Sequence, residues 1–139
     1  MSEQKPLEAI IVGGGHRSLI YAELAEIDPG KLKIVGVADP DENRRKMIRE
    51  RFSFPEENCF ETAEELSKVP KFANIIINGT MDHVHVETSI PLLKAGYDIL
   101  LEKPFAVNED EINALCEVAE KHGNKVVIGH VLRYTDFYR

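Results

Sequence analysis

After six residues the chain reads Leu7-Glu8-Ala9-Ile10-Ile11-Val12-Gly13-Gly14-Gly15-His16-Arg17-Ser18. The first half is an apolar run with the length of a short buried strand, and three glycines stop it. Helical spacing begins at about Arg17, because Ile20, Leu24 and Ile27 recur at i, i+4 and i+7. The stretch therefore predicts a strand, a tight turn and a helix whose apolar stripe faces a sheet.

The rest of the chain repeats this alternation of strand and helix. Further strands are predicted at 32–38, near Cys59, and at 72–78, 97–102 and 125–128, with helices at 41–51, 63–68, 82–95 and 108–122. Pro91 lies inside one helix and predicts a kink there or two helical pieces. Continuous apolar strands separated by helices are typical of a parallel sheet covered on both faces. The predicted fold class is α/β, a doubly wound parallel sheet of the Rossmann dinucleotide-binding type.

Length and charge limit the possible functions. The 139 residues suit one domain, which we place at residues 1–139. A formal charge of −7 argues against nucleic acid and acidic membranes as partners, because both require a basic surface. The chain shows no signal peptide and no apolar run of about 20 residues, so we expect a cytoplasmic protein. Cys59 and Cys116 are expected to be reduced, mostly buried thiols.

The glycine turn is the first candidate ligand site. Gly13 and Gly15 match the first two glycines of the G-x-G-x-x-G pattern, and Ser18 replaces the third. Such a turn before a helix lets backbone amides approach a pyrophosphate, with His16 and Arg17 beside it. The alternative is a glycine turn that binds no ligand.

Asp39 ends the second predicted strand, 24 residues after Gly15. A carboxylate at that position accepts hydrogen bonds from adenosine ribose hydroxyls and repels a 2′-phosphate, which favours NAD over NADP. Arg44 and Arg45 follow closely and could hold a phosphate, so NADP stays possible. The alternative is a solvated turn aspartate before Pro40.

The segment 78–85 follows the fourth predicted strand and should face the same crevice. Thr80 can offer its hydroxyl to a cofactor, and His85 is a candidate polar contact. His83 and His85 are two residues apart, which does not place them on one helical face. We therefore predict no metal site.

Glu102-Lys103-Pro104 closes the fifth predicted strand. The proline restricts the backbone of Lys103, whose ammonium could orient a substrate oxygen or relay its proton. Glu102 could pair with Lys103 or hold nearby backbone. The alternatives are a surface lysine and a purely structural glutamate.

Together these segments resemble the N-terminal domain of the glucose–fructose oxidoreductase / inositol dehydrogenase (Gfo/Idh/MocA) family. The resemblance covers nearly the whole chain and is carried by Gly13 to Ser18, Val37-Ala38-Asp39, Gly79 to His85, Lys94-Ala95-Gly96, Glu102-Lys103-Pro104 and Gly129 to Tyr134. It implies an NAD(P)-dependent oxidoreductase acting on sugars, inositols or related polyols. Gly13, Gly15, His16, Arg17, Asp39, Thr80 and His85 then map to cofactor contacts, and Glu102 and Lys103 to the motif beside the nicotinamide. Met81 stands where the family usually has proline.

The resemblance also implies a second, α+β domain that holds the substrate and builds most of a homo-oligomer interface. That domain is absent from these 139 residues, so we expect either a shortened form, inactive by itself, or a protein made of this domain alone. Two other outcomes stay open. One is a non-catalytic nucleotide-binding regulatory module, and the other is a relative that uses NAD to assist glycoside cleavage.

Overall fold

A computed structural model of the chain describes residues 5–80, 84–102 and 108–129. Six strands form one sheet: β1 (Leu7–Val12), β2 (Leu32–Ala38), β3 (Cys59–Phe60), β4 (Ile75–Asn78), β5 (Asp98–Glu102) and β6 (Val126–Gly129). All neighbouring pairs are parallel, and the spatial order is β3-β2-β1-β4-β5-β6. This order confirms the doubly wound Rossmann fold, because the strand sequence reverses direction between β1 and β4.

In the described part of the chain, six α-helices connect the strands: α1 (His16–Ala22), α2 (Leu24–Ile27), α3 (Glu42–Phe52), α4 (Ala63–Ser67), α5 (His85–Lys94) and α6 (Glu109–His122). Side chains cap three of them. Asp41 accepts from the amides of Asn43 and Arg44 at α3, Thr62 from Glu65 at α4, and Asn108 from Glu111 at α6. These caps satisfy amides that have no partner within the helix, and they set where each helix begins.

The core lies in two layers, one on each face of the sheet. Alternate residues of β1 separate them: Ile10 and Val12 pack with α4, α5 and α6, whereas Ala9 and Ile11 pack with α1, α2 and α3. The period of two residues is that of a pleated strand. Burial of β1 on both faces explains why its sequence is continuously apolar rather than alternating.

Four details differ from the sequence expectations. Ile20, Leu24 and Ile27 do not face the sheet; they are exposed, Ile27 by 78%, whereas Ser18 and Ala22 are buried. The small side chains of Ser18 and Ala22 let the helix lie close to the strands. The helix also breaks at Glu23, between α1 and α2.

The other two differences concern Pro91 and a cysteine. Helix α5 runs through Pro91 without a break, so the alternative of two helical pieces is wrong. Both cysteines are free, but Cys116 is exposed, so it is not a buried thiol. Burial raises the pKa of the Cys59 thiol, which therefore stays protonated at neutral pH. Within the described ranges, no helix has the length and apolar character to cross a bilayer.

Candidate dinucleotide site

A cleft of about 980 Å³ opens at the carboxyl ends of β1, β2 and β4. It lies where the strand order reverses, the place where open α/β sheets bind ligands. The glycine turn after β1 and the turn after β2 form one side. Helices α4 and α5 form the other, through Thr62, Ala63, Ser67, Val84, Thr88, Ile90 and Pro91 among others.

Gly13 and Gly15 are glycines for different structural reasons. Gly13 has φ +79°, and a Cβ there would lie 2.7 Å from the Thr80 backbone nitrogen. Gly15 has φ −77°, and a Cβ there would meet nothing within 4 Å. Both residues line the cleft. The first glycine is therefore required by the fold, whereas the open space at the second is available to a ligand.

Ser18 occupies the position of the third glycine and is fully buried. Its hydroxyl donates to the Gly13 carbonyl at 2.6 Å, which ties α1 to the turn. Across the contact lies Gly79, where a Cβ would be 2.0 Å from Ser18 Oγ. The serine is accommodated because the residue after β4 has no side chain, so close packing survives the loss of the third glycine.

Asp39 lies at the carboxyl end of β2, with only 3% of its side chain exposed. Its Oδ2 accepts from the Gly14 amide at 2.7 Å, and its Oδ1 accepts from the Asp41 amide at 2.8 Å. A carboxylate has about four lone-pair directions, so two remain for a ligand. Asp39 thus connects the glycine turn to the turn after β2 and presents negative charge to the cleft.

The two arginines after Asp39 have different roles. Arg45 donates to the backbone carbonyls of Asp39 at 2.7 Å and Pro40 at 3.1 Å, so it holds the turn. Arg44 lines the cleft, half exposed, with a guanidinium nitrogen 3.8 Å from Asp39 Oδ2. Of the two candidates for a 2′-phosphate contact, the structure brings only Arg44 to the cleft.

Thr80 lies beside the glycine turn and lines the cleft, as predicted from its position after β4. His16 and Arg17 are exposed in the first turn of α1, next to Gly15. His85 is fully buried at the start of α5 and does not line the cleft. Cofactor contacts by these three side chains stay predictions.

Glu102 is the last residue of β5 and pairs with Gly129 of β6. Residues 103–107 and 81–83 lie outside the described part of the chain, and these include Lys103, Pro104, Met81 and His83. The backbone of Glu102 places the end of β5 at the same sheet edge as the cleft, one strand beyond β4. The roles proposed for Glu102 and Lys103 stay predictions.

Sequence reasoning missed the far wall of the cleft. Glu87, Thr88, Pro91 and Lys94 form one face of α5, and their spacing of three to four residues could have shown that. Their position opposite Gly13 could not be read from spacing, because it depends on strand order. Residues 61–68 around α4 complete the wall, and they belong to the connection between β3 and β4 rather than to the one that contains α5.

The described residues fit a dinucleotide on three counts. Gly15 leaves space where a pyrophosphate approaches the turn, Asp39 retains acceptor capacity for ribose hydroxyls, and the cleft has the volume expected of a cofactor site. Apolar walls from Val12, Ala38, Val84 and Ile90 suit a flat base.

Comparison with known proteins agrees with this geometry. Residues 7–130 match the Gfo/Idh/MocA family, described as an oxidoreductase family with an NAD-binding Rossmann fold. The chain belongs to this family. It is therefore an NAD(P)-binding domain of an oxidoreductase family.

Individual Gfo/Idh/MocA relatives are distant. The rhizopine catabolism protein MocA of Rhizobium meliloti is 26% identical over 124 residues, which are 89% of this chain and 37% of that protein. A trans-1,2-dihydrobenzene-1,2-diol dehydrogenase of Mus musculus is 28% identical over 100 residues, 72% of this chain and 29% of that protein. The chain thus spans about a third of the length of these relatives.

Among solved structures, the WlbA dehydrogenase of Chromobacterium violaceum, in complex with NADH and UDP-GlcNAcA, superposes with a TM-score of 0.87. The identity is 20%, with 99% of this chain and 39% of that chain covered. At this identity the likeness establishes the fold and nothing finer.

Proposed function

We propose that this chain binds NAD across the cleft and serves as the cofactor domain of a dehydrogenase. The dehydrogenase would act on a secondary alcohol of a sugar, inositol or related polyol. One observation carries the proposal: the turn with open space at Gly15 and the buried carboxylate of Asp39 line the same cleft. In a dinucleotide site, the glycine turn approaches the pyrophosphate and the carboxylate accepts from the ribose hydroxyls next to it.

The substrate class is supported by chemistry and by the relatives. The mouse relative is named for a cyclic diol, and the WlbA complex contains a sugar nucleotide. Both compounds carry hydroxyl groups on a ring. We expect a second domain to select among such alcohols and place it in the part of the relatives that this chain does not span.

Each residue has a proposed task. Amides of the glycine turn donate to the pyrophosphate, and Asp39 accepts from the ribose hydroxyls. When bound, NAD supplies a nicotinamide carbon that accepts a hydride from the carbinol. Lys103, the residue after Glu102 in the sequence, holds the substrate oxygen and relays the proton that the alcohol loses as it becomes a carbonyl. Glu102 orients Lys103.

Replacing Lys103 tests the enzymatic part of the proposal. Lys103→Met, made in the protein as it occurs naturally, should lower turnover by about two orders of magnitude or more, because it removes the proton relay. NAD affinity should change little. The measurement is NADH formation with a panel of inositols and sugars, together with an NAD titration.

Lys121→Met is a matched control, since Lys121 is exposed in the last turn of α6. It should leave turnover unchanged. Full activity of Lys103→Met would contradict the role of Lys103, and a folded natural protein that binds NAD but oxidises none of the panel would contradict the substrate class.

A further inference from the structure

A buried carboxamide stands behind the cleft wall. Asn78 ends β4 with 1% of its side chain exposed. Its Oδ1 accepts from the Thr80 amide at 3.1 Å and lies 2.7 Å from Thr80 Oγ1. Its Nδ2 lies 2.9 Å from both Thr88 Oγ1 and Ser89 Oγ. The side chain therefore joins the loop after β4 to the first turns of α5.

The orientation of this carboxamide follows from its backbone neighbours. The Thr80 amide can only donate, so the atom facing it must be the oxygen. The His85 carbonyl can only accept, and it lies 3.4 Å from the nitrogen. Exchanging the two ends would set two donors against each other at Thr80, so one orientation satisfies the contacts.

This orientation decides where the threonine protons lie. Asn78 Oδ1 carries no proton, so at 2.7 Å the Thr80 hydroxyl must donate to it. Thr88 accepts from Asn78 Nδ2, and its hydroxyl lies 2.7 Å from the Val84 carbonyl and 3.2 Å from the His85 carbonyl, the backbone acceptors to which it donates. Both hydroxyl protons are used inside the protein, and the two oxygens are 3.3 Å apart.

Both threonines line the cleft and are half-buried. With their protons committed, each oxygen can offer the cleft only lone pairs. Asp39 across the cleft is likewise an acceptor. The two threonine oxygens and the Asp39 carboxylate can therefore only accept hydrogen bonds from donor groups of the ligand.

We propose that Asn78 is a positioning residue that makes this wall a hydrogen-bond acceptor, so that the site selects its ligand by a donor group. The donor is a hydroxyl of a ribose or the exocyclic amino group of the adenine. The inference rests on the proposed NAD binding and names what the wall recognises in that ligand.

The test compares ligands that differ by one donor. NAD is titrated against three analogues: one with hypoxanthine in place of adenine, and the 2′-deoxy and 3′-deoxy forms of its adenosine ribose. Wild-type chain should bind at least one analogue at least tenfold more weakly than NAD. Loss with the hypoxanthine analogue identifies the amino group, and loss with a deoxy analogue identifies a ribose hydroxyl.

Asn78→Leu removes the acceptor that holds the Thr80 proton, so the Thr80 hydroxyl can then turn to donate or accept. The affinity ratio between NAD and the discriminated analogue should fall to within about threefold. A merely structural role would weaken all ligands together and leave that ratio unchanged. An unchanged ratio in a folded Asn78→Leu chain would overturn the proposal.

A second pair covers the case in which Asn78→Leu does not fold. Thr80→Val removes one acceptor oxygen, and Thr80→Ser keeps it. The ratio should fall in the valine variant and persist in the serine variant; equal ratios in both would overturn the proposal. Failure of the wild-type chain to bind NAD would contradict the proposed function and this inference with it. NAD binding without discrimination among the analogues would contradict both the inference and the role of Asp39 as acceptor for the ribose hydroxyls, whereas discrimination that persists unchanged in Thr80→Val would contradict the inference alone.

Discussion

Substitutions at Gly13 and Gly15, two residues apart, should separate an effect on stability from an effect on NAD binding. Gly13→Ala places a Cβ on a left-handed backbone and against Thr80, so it should lower the free energy of unfolding by about 1–2 kcal/mol or more. Gly15→Ala meets open space and should lower it by less than about 1 kcal/mol. Its methyl group would, however, occupy the approach of the pyrophosphate and should weaken NAD binding at least tenfold.

Urea unfolding and NAD titration of the two variants check this. A stable Gly15→Ala chain that binds NAD as wild type does would show that the turn does not approach the ligand. A Gly13→Ala chain as stable as wild type would contradict the described backbone.

Asp39 combines a structural role with a proposed recognition role. Asp39→Ala leaves the Gly14 and Asp41 amides without their acceptor, which should lower the free energy of unfolding by about 1–3 kcal/mol. It should also weaken NAD binding at least tenfold. The ratio of NAD affinity to NADP affinity should fall, because the repulsion of a 2′-phosphate disappears. Titrations with NAD and with NADP measure the two affinities.

Asp28→Ala is the matched control, since the Asp28 side chain is 43% exposed and the residue precedes β2 rather than following it. It should leave both affinities unchanged. Unaltered affinities in Asp39→Ala would show that this carboxylate does not contact the ribose.

At the scale of elements, the contact between α1 and the end of β4 depends on the sizes of two facing residues, Ser18 and Gly79. Gly79→Ala should destabilise the chain by about 1–3 kcal/mol, because the new methyl group meets Ser18 Oγ. Adding Ser18→Gly restores the third glycine of the turn pattern and frees that space. The double variant should therefore be more stable than the sum of the two single effects predicts.

Unfolding free energies of the four chains give the coupling, expected at about 0.5–3 kcal/mol for residues in contact. Additive effects would show that the two elements are not packed as described. Ser18→Gly alone also loses the bond to the Gly13 carbonyl, so its own destabilisation is expected and does not bear on the coupling.

The strands were predictable because their apolar runs are bounded by glycine, proline and polar residues. The helices were less so. The spacing of Ile20, Leu24 and Ile27 has a helical period, yet the buried side of α1 is formed by Ser18 and Ala22. Periodicity locates a helix, but closeness of approach to the sheet decided which side faces inward, and that depends on Gly79, sixty residues away in the sequence.

At the scale of the whole molecule, half of the cleft was foreseeable. Gly13, Gly15, Asp39 and Thr80 follow strands that a doubly wound sheet brings to one edge. The α4 and α5 wall and the network around Asn78 were not foreseeable, because they arise from crossovers that meet only in three dimensions. Fold and cofactor class were thus readable from local chemistry, whereas the groups that shape recognition were not.

Calorimetric titration of NAD and of NADP into the 139-residue chain tests the central claim most directly. Circular dichroism of the same sample establishes that the chain is folded. The account predicts one site that binds NAD at least tenfold more tightly than NADP, a difference of about 1.4 kcal/mol. Equal or tighter binding of NADP, or binding of neither cofactor by a folded chain, would contradict it.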